Sequence, residues 1–157
     1  FNLLFLTMFN IGKFKFAPGT VASFATCVFF FFMQDYFNFI ILFFFTVLVF
    51  FYSLAAINMY YENFKSDDPQ EIVVDEFVGQ MLPLLAIPIY ETLNPAPKIL
   101  YCGAAFFMFR FFDILKPYPI SYIDNNTSGA FGVMLDDIVA GIFATIILIV
   151  VFLILGG

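Results

Sequence analysis

The chain has 157 residues, of which 63% are hydrophobic and 11% charged, and its formal net charge is −6. Such a composition excludes a soluble globule of this size, because too few polar residues are available to cover its surface. About 20 apolar residues cross a bilayer as a helix, so the length allows four or five crossings. We therefore expect one all-α domain over 1–157, a polytopic membrane helical bundle.

Apolar runs and the residues that interrupt them predict about five helices, at 20–34, 36–61, 71–88, 97–115 and 132–155. Thr20 is a candidate N-cap of the first helix, and the polar stretch 63–70 predicts a loop. The first run of about 14 residues rises only about 21 Å, less than the hydrocarbon core. We expect this helix to be short, tilted or re-entrant. No cleavage site of a signal peptide is seen, so the first run is expected to be retained.

Counting crossings brings the charged residues together. If all five helices cross, one face collects the following residues: Lys13, Pro18, Gly19, Thr20, Asp75, Glu76, Arg110, Asp113, Lys116, Asp124, Asp136 and Asp137. Five of the six Lys and Arg residues lie on this face, and only Lys98 lies opposite. The positive-inside bias then places this face in the cytoplasm. Because the acidic excess is concentrated in these motifs, no nucleic-acid partner is expected.

Charged residues within membrane-length apolar runs indicate a function, since a charge at hydrocarbon depth costs several kcal/mol. Two structural alternatives remain open. Asp75 and Glu76 also suit the first turn of a helix, where the dipole favours carboxylates. Arg110 and Asp113 are spaced i, i+3, as in a simple intrahelical ion pair. Adjacent residues on a helix point about 100° apart, so Asp136 and Asp137 share a cavity only if it wraps around the helix end.

The donor set predicts the metal and the chemistry. Carboxylates from three helices favour a hard cation, Mg²⁺ or Mn²⁺, and with basic residues nearby the natural ligand is a phosphate. Metal-dependent phosphoryl transfer follows as the interpretation. The sequence contains no His, which excludes phosphohistidine phosphatases. Cys27 and Cys102 lie in apolar runs and are interpreted as buried hydrophobes without a role.

Four motifs carry a family resemblance: Ala17-Pro-Gly-Thr-Val-Ala-Ser23, Val74-Asp-Glu-Phe-Val-Gly79, Phe109-Arg-Phe-Phe-Asp-Ile-Leu-Lys-Pro-Tyr-Pro119 and Gly132-Val-Met-Leu-Asp-Asp-Ile-Val-Ala-Gly141. In this order and spacing the chain resembles phosphatidylglycerophosphatase A, a family of bacterial inner-membrane lipid phosphatases. The resemblance implies Mg²⁺-dependent hydrolysis of the terminal phosphomonoester of phosphatidylglycerophosphate to phosphatidylglycerol. It also implies a phospholipid substrate in the bilayer and an inner-membrane location. Together with the positive-inside bias, this places the expected active site at the cytoplasmic face, and the sequence indicates no obligate protein partner.

The motifs also imply roles for individual residues. The expected metal ligands, one of which would serve as the base, are Asp75, Glu76, Asp113, Asp136 and Asp137. Arg110 and Lys116 are expected to bind phosphate, together with Lys13, Thr20 and Ser23, the last two near a helix N-terminus that suits an anion. Asp124 is a weaker candidate, because an Asp in a loop is more often a turn or cap residue.

Two other classes of protein remain as alternatives. An ion- or proton-coupled transporter would use the same acids as a relay, with charges spread across the membrane depth. A structural assembly subunit would not need carboxylates from three helices to converge. Phosphate release that depends on a metal separates the enzyme from both alternatives.

Overall fold

The fold was determined as a computed structural model, which describes residues 2–60 and 71–156. Within these ranges the secondary structure is entirely helical. The α-helices are α1 (Asn2–Leu6), α2 (Pro18–Met33), α3 (Phe39–Tyr60), α4 (Val74–Leu85), α5 (Ile87–Leu93), α6 (Lys98–Leu115), α7 (Ile120–Asn126) and α8 (Gly129–Gly156), with a 3-10 helix at Ile11–Lys13. The predicted all-α class is confirmed.

Short helices account for most of the difference from the predicted elements. The predicted helix 71–88 is two helices, α4 and α5, separated at Ala86. The stretch between the predicted helices 97–115 and 132–155 contains α7 and the start of α8, and α1 was not predicted at all. The predicted loop 63–70 lies outside the described residues.

The start of α2 differs from the predicted N-cap. The helix begins at Pro18, two residues before Thr20, and the N-cap residue is Ala17, with φ 44° and no side-chain cap. Proline is well suited to the first helical position, since its φ is already helical and its missing N–H has no partner there. Thr20 therefore lies inside the first turn and does not cap it.

Two helices in the described ranges are long and apolar enough to cross a membrane, by length and composition: Phe39–Met59 in α3 and Gly129–Leu155 in α8. The shorter apolar helix Pro18–Met33 falls below this length, in line with the short first helix expected from the sequence. Five complete crossings remain a prediction.

Helix α4 lies at the centre of the bundle, packed against α2, α3, α6 and α8. Its closest approach is to α8, where a Cβ added at Gly141 would overlap the backbone carbonyl oxygen of Gly79. That carbonyl lacks its usual helical donor, because Pro83, four residues later, has no N–H. Small residues at such a crossing let two membrane helices come into backbone contact.

The ends of the bundle differ in charge. At the end of α2 and the start of α6, Lys98 Nζ lies 3.0 Å from Asp35 Oδ1 in an exposed ion pair. Between the two ends, Cys27 on α2 and Cys102 on α6 are buried, and Cys27 Sγ lies 4.0 Å from the Cys102 carbonyl oxygen. The other charged side chains of α4, α6 and α8 lie at the opposite end.

Candidate active site

A polar cavity of about 730 Å³ lies at the end of the bundle where α2, α4 and α8 begin and α6 ends. Six carboxylates line it: Asp75, Glu76, Asp113, Asp124, Asp136 and Asp137. Among the described residues, two cationic side chains, Arg110 and Lys116, line the same cavity. These residues give the cavity an excess of four formal negative charges, which favours the binding of a cation.

Arg110 connects two of the helices. Its Nη1 lies 2.5 Å from Glu76 Oε2 on α4 and 2.8 Å from Asp113 Oδ2 on its own helix. The side chains of all three residues are only 12–13% exposed. The i, i+3 ion pair considered from the sequence therefore exists, but Arg110 also binds a carboxylate of another helix.

Glu76 is positioned by α2. Ser23 is fully buried, and its hydroxyl lies 3.1 Å from Glu76 Oε2 and 2.9 Å from the Gly19 carbonyl oxygen. A Cβ added at Gly19 would overlap the Glu76 carboxylate and lie 3.4 Å from Arg110 Nη1. Because Gly19 has no side chain, the Pro-Gly-Thr motif lets the start of α2 lie directly against the Glu76 carboxylate. The positive end of the α2 dipole also faces this carboxylate, which stabilises its ionised form.

Three carboxylates from three helices converge. One oxygen each from Glu76, Asp113 and Asp137 can be chosen so that all lie within 4.8 Å of one another. Asp137 is 4% exposed, and its Oδ2 makes no hydrogen bond within the described ranges. A buried carboxylate oxygen without a partner is costly, so this atom requires a cation, a proton or water.

Lys116 forms a second charged cluster on the other side of the cavity. It follows α6 in a left-handed conformation with φ 42°. Its Nζ lies 2.7 Å from Asp124 Oδ1 and 2.7 Å from Asp136 Oδ2. Burial lowers the pKa of Lys116, but the hydrogen bonds and charges of the two carboxylates outweigh burial and raise it above its usual range. Lys116 is therefore a permanent cation at neutral pH.

The adjacent acids of α8 serve different clusters. Asp136 contacts Lys116, whereas Asp137 belongs to the group around Glu76 and Asp113. Both side chains line the one cavity. The cavity therefore extends around the start of α8. This is the condition under which two adjacent helical residues, Asp136 and Asp137, can line the same cavity.

The structure brings together seven of the ten residues selected from the sequence: Asp75, Glu76, Arg110, Asp113, Lys116, Asp136 and Asp137. The other three do not line the cavity. Lys13 is exposed on the 3-10 helix, Thr20 lies in the first turn of α2, and Ser23 contacts Glu76 from behind.

The wall formed by α7 and the turn to α8 was anticipated only at Asp124, the weaker candidate from the sequence. It contributes Asp124 together with Asn125, Asn126, Thr127 and Ser128. Asp124 lies on a helix and not in a loop, and it binds Lys116. The available signal was the run of five consecutive polar residues between two apolar stretches. Such a wall offers amide and hydroxyl groups to a polar headgroup.

The residues present fit a hard divalent cation. The converging donors are all carboxylate oxygens, which Mg²⁺ prefers, and Asp137 Oδ2 is buried without a partner within the described ranges. The excess negative charge of the cavity favours the same conclusion. Glu76, Asp113 and Asp137 are the residues that would hold it.

Comparisons with known proteins agree with the motifs. The family model of phosphatidylglycerophosphatase A matches residues 4–152. A phosphatidylglycerophosphatase A of Haemophilus influenzae is 46% identical over 80 residues, which cover 51% of this chain and 45% of that protein. The phosphatidylglycerophosphatase A of Escherichia coli is 30% identical over 140 residues, 89% of this chain and 77% of the relative.

A third relative has a different name. A putative phosphatidylinositol-3-phosphatase of Bacteroides thetaiotaomicron is 34% identical over 153 residues, 96% of this chain and 92% of that protein. No solved structure matches the chain. Because the family model covers nearly the whole sequence, including every residue that lines the cavity, this chain belongs to the phosphatidylglycerophosphatase A family.

Proposed function

We propose that this protein hydrolyses the terminal phosphomonoester of phosphatidylglycerophosphate, giving phosphatidylglycerol and phosphate, in a Mg²⁺-dependent reaction at the cytoplasmic face of the bacterial inner membrane. One observation carries the proposal. Within the cavity of a phosphatidylglycerophosphatase A family member, Glu76, Asp113 and Asp137 converge beside Arg110.

We assign Glu76, Asp113 and Asp137 to the cation. When bound, Mg²⁺ would neutralise the phosphoryl oxygens and activate water for attack on phosphorus. The remaining carboxylates, Asp75 and Asp136, line the same cavity, and we assign them to the orientation of substrate and water. Gly19 and Ser23 hold Glu76 in position from the start of α2.

Arg110 and Lys116 supply the positive charge that the reaction needs. As the bond to the leaving oxygen breaks, negative charge develops on oxygens that a guanidinium and an ammonium can stabilise. Arg110 Nε is buried and makes no hydrogen bond within the described ranges, so it retains a donor that a shift of the side chain could direct to a phosphate oxygen. Lys116 is shared between two carboxylates and can exchange one of them for the phosphate.

The test is phosphate release from phosphatidylglycerophosphate by the purified full-length protein in detergent micelles. We expect excess EDTA to abolish release and added Mg²⁺ to restore it. A detergent-only sample and a sample with the Asp137→Asn variant serve as controls for background release. Equal release with and without EDTA would refute the metal-dependent mechanism, and the absence of release in Mg²⁺ would refute the activity.

A phosphorylated inositol lipid is a second candidate substrate. The putative phosphatidylinositol-3-phosphatase matches 96% of this chain, and the wall at 125–128 is polar enough to bind an inositol ring. Phosphatidic acid carries the same phosphomonoester without a polar headgroup. Competition among the three lipids at equal concentration decides the headgroup, and we expect phosphatidylglycerophosphate to be hydrolysed fastest.

The cytoplasmic orientation is a separate proposal. Most of the described cationic residues lie at the end of the bundle that contains the cavity: Lys13, Lys15, Arg110 and Lys116. Lys98 lies at the other end, and the positive-inside bias then favours a cytoplasmic cavity. With five crossings, a reporter fused after residue 157 should be periplasmic and one inserted in 63–70 cytoplasmic. Both reporters on one side would refute the crossing count.

The transporter alternative is less well supported. A relay needs ionisable groups across the membrane depth. In the described ranges, α4, α6 and α8 carry theirs at the cavity end, apart from Lys98, which pairs with Asp35 at the opposite end.

A further inference from the structure

We propose that an apolar groove between α3 and α4 binds one acyl chain of the substrate lipid while its phosphate lies in the polar cavity. The inference rests on the proposed function, and it deepens it by assigning the part of the protein that recognises the hydrocarbon. The groove has a volume of about 150 Å³ and is lined by Phe43, Thr46, Val47, Phe50, Val78, Leu82, Leu85 and Ile138.

The groove presents only apolar surface. Its one polar residue, Thr46, is buried, and its hydroxyl donates a hydrogen bond of 2.8 Å to the Leu42 carbonyl oxygen of the same helix. Phe43 is 47% exposed, so the groove opens onto the lipid-facing surface of α3. These features suit a hydrocarbon chain that enters sideways from the bilayer.

The groove and the polar cavity lie along the same face of α4. Asp75, Val78, Leu82 and Leu85 are spaced i, i+3, i+7 and i+10, which places them in one stripe of the helix. The first of them lines the cavity and the other three line the groove. On α8 the lining changes from cavity to groove between adjacent residues, since Asp137 lines the cavity and Ile138 lines the groove.

The length of this stripe matches one half of a bilayer. Ten residues of helix separate Asp75 from Leu85, a rise of about 15 Å. The hydrocarbon core is about 30 Å thick, so one leaflet accounts for about 15 Å. A lipid with its phosphate beside Asp75 would therefore extend one chain along the groove to the depth of Leu85.

A lipid chain explains why the groove is not closed by side chains. Between membrane helices there is no hydrophobic driving force, so gaps are removed chiefly by van der Waals packing. An empty apolar groove loses those contacts. Because a lipid substrate must bring its chains with its phosphate, the chain attached to the phosphate in the cavity is the occupant that the shared face of α4 favours.

The test is a groove-filling variant, Val47→Phe, compared with a matched variant, Leu48→Phe. Val47 lines the groove, whereas its neighbour Leu48 is 64% exposed and does not line it. Both changes add an aromatic ring at the same depth on α3. We measure kcat/KM for dipalmitoyl and dihexanoyl phosphatidylglycerophosphate with each full-length variant in detergent micelles.

We expect Val47→Phe to lower kcat/KM about tenfold for the dipalmitoyl lipid, which is the size of an overpacking penalty of about 1.4 kcal/mol, and less than about twofold for the dihexanoyl lipid. Leu48→Phe should change neither. No loss of kcat/KM with Val47→Phe would overturn the assignment. An equal loss on both lipids would also overturn it, and would assign the groove to helix packing or to a structural lipid. Absence of phosphate release by the unmodified protein from either lipid would instead refute the proposed function.

Discussion

The crossing of α4 and α8 should control activity more than stability, and Gly141→Ala tests this. A Cβ at this position would overlap the Gly79 carbonyl oxygen and would lie 3.0 Å from Leu82 Cδ1 and 3.1 Å from the Gly79 carbonyl carbon. The leucine methyl can rotate away, but the backbone cannot. The two helices must therefore separate at this point, one turn beyond Asp137.

The expected magnitudes follow from the two effects of the added methyl group. Overpacking costs about 1–3 kcal/mol, while replacing glycine inside a helix gains about 1 kcal/mol, so the net loss of stability should be at most about 2 kcal/mol. The distance between Glu76 on α4 and Asp137 on α8 should increase by a large part of an ångström. A displacement of about 1 Å among catalytic groups costs about 10²-fold in rate. We therefore expect kcat to fall about 10²-fold while the protein stays folded, with the Tm lowered by at most about 8 °C.

The assay is phosphate release from phosphatidylglycerophosphate together with thermal unfolding in the same detergent. Gly103→Ala is the matched control, because a Cβ at Gly103 on α6 would meet no atom within 4 Å. That variant should keep full activity with an equal or higher Tm. Wild-type turnover in Gly141→Ala would show that the close approach of α4 and α8 does not position the acids, and the reasoning would be refuted.

Three further substitutions test the cavity, each measured by phosphate release. Asp137→Asn should lower kcat about 10²-fold or more if this buried carboxylate holds the cation, whereas Asp35→Asn, at the opposite end of the bundle, should have no effect; equal activities would remove Asp137 from the site. Arg110→Lys should reduce turnover with folding intact, since an ammonium cannot reproduce the planar fork of donors, and unchanged turnover would leave only a structural ion pair. Gly19→Ala should reduce turnover at least about tenfold, because its methyl group would displace the Glu76 carboxylate; a fully active variant would show that this contact is unimportant.

The convergence of the acids could be predicted from the sequence because charges in apolar runs have few tolerable positions. Counting crossings placed Asp75, Asp113 and Asp137 at one end of the bundle, and all three line the cavity. The family was predicted from the same motifs and is confirmed by the comparisons. These results depend on long apolar segments and on residue chemistry, which sequence patterns report well.

Short helices and contacts between helices could not be predicted in this way. Seven-residue segments such as α5 and α7 contain too few apolar positions to show a period. Prolines also lie at their starts, since Pro88 is the second residue of α5 and Pro119 directly precedes α7. The sequence left two roles open for Arg110, an ion pair with Asp113 and the binding of phosphate. In the structure Arg110 contacts both Asp113 and Glu76, and the second contact was not predicted. The predicted roles of Lys13 and Thr20 depended on their position in the chain, which does not specify the direction of a side chain.

The burial of the two cysteines makes the natural chain a ready background for chemical labelling. Cys27 and Cys102 are the only thiols in the sequence, and they are 7% and 4% exposed within the bundle. Maleimides react with the thiolate form, which is disfavoured for a thiol buried in apolar surroundings. A cysteine introduced at the rim of the cavity, in 63–70 or at the C-terminus would therefore be the only reactive thiol, so that the sidedness of each segment can be mapped without replacing any native residue.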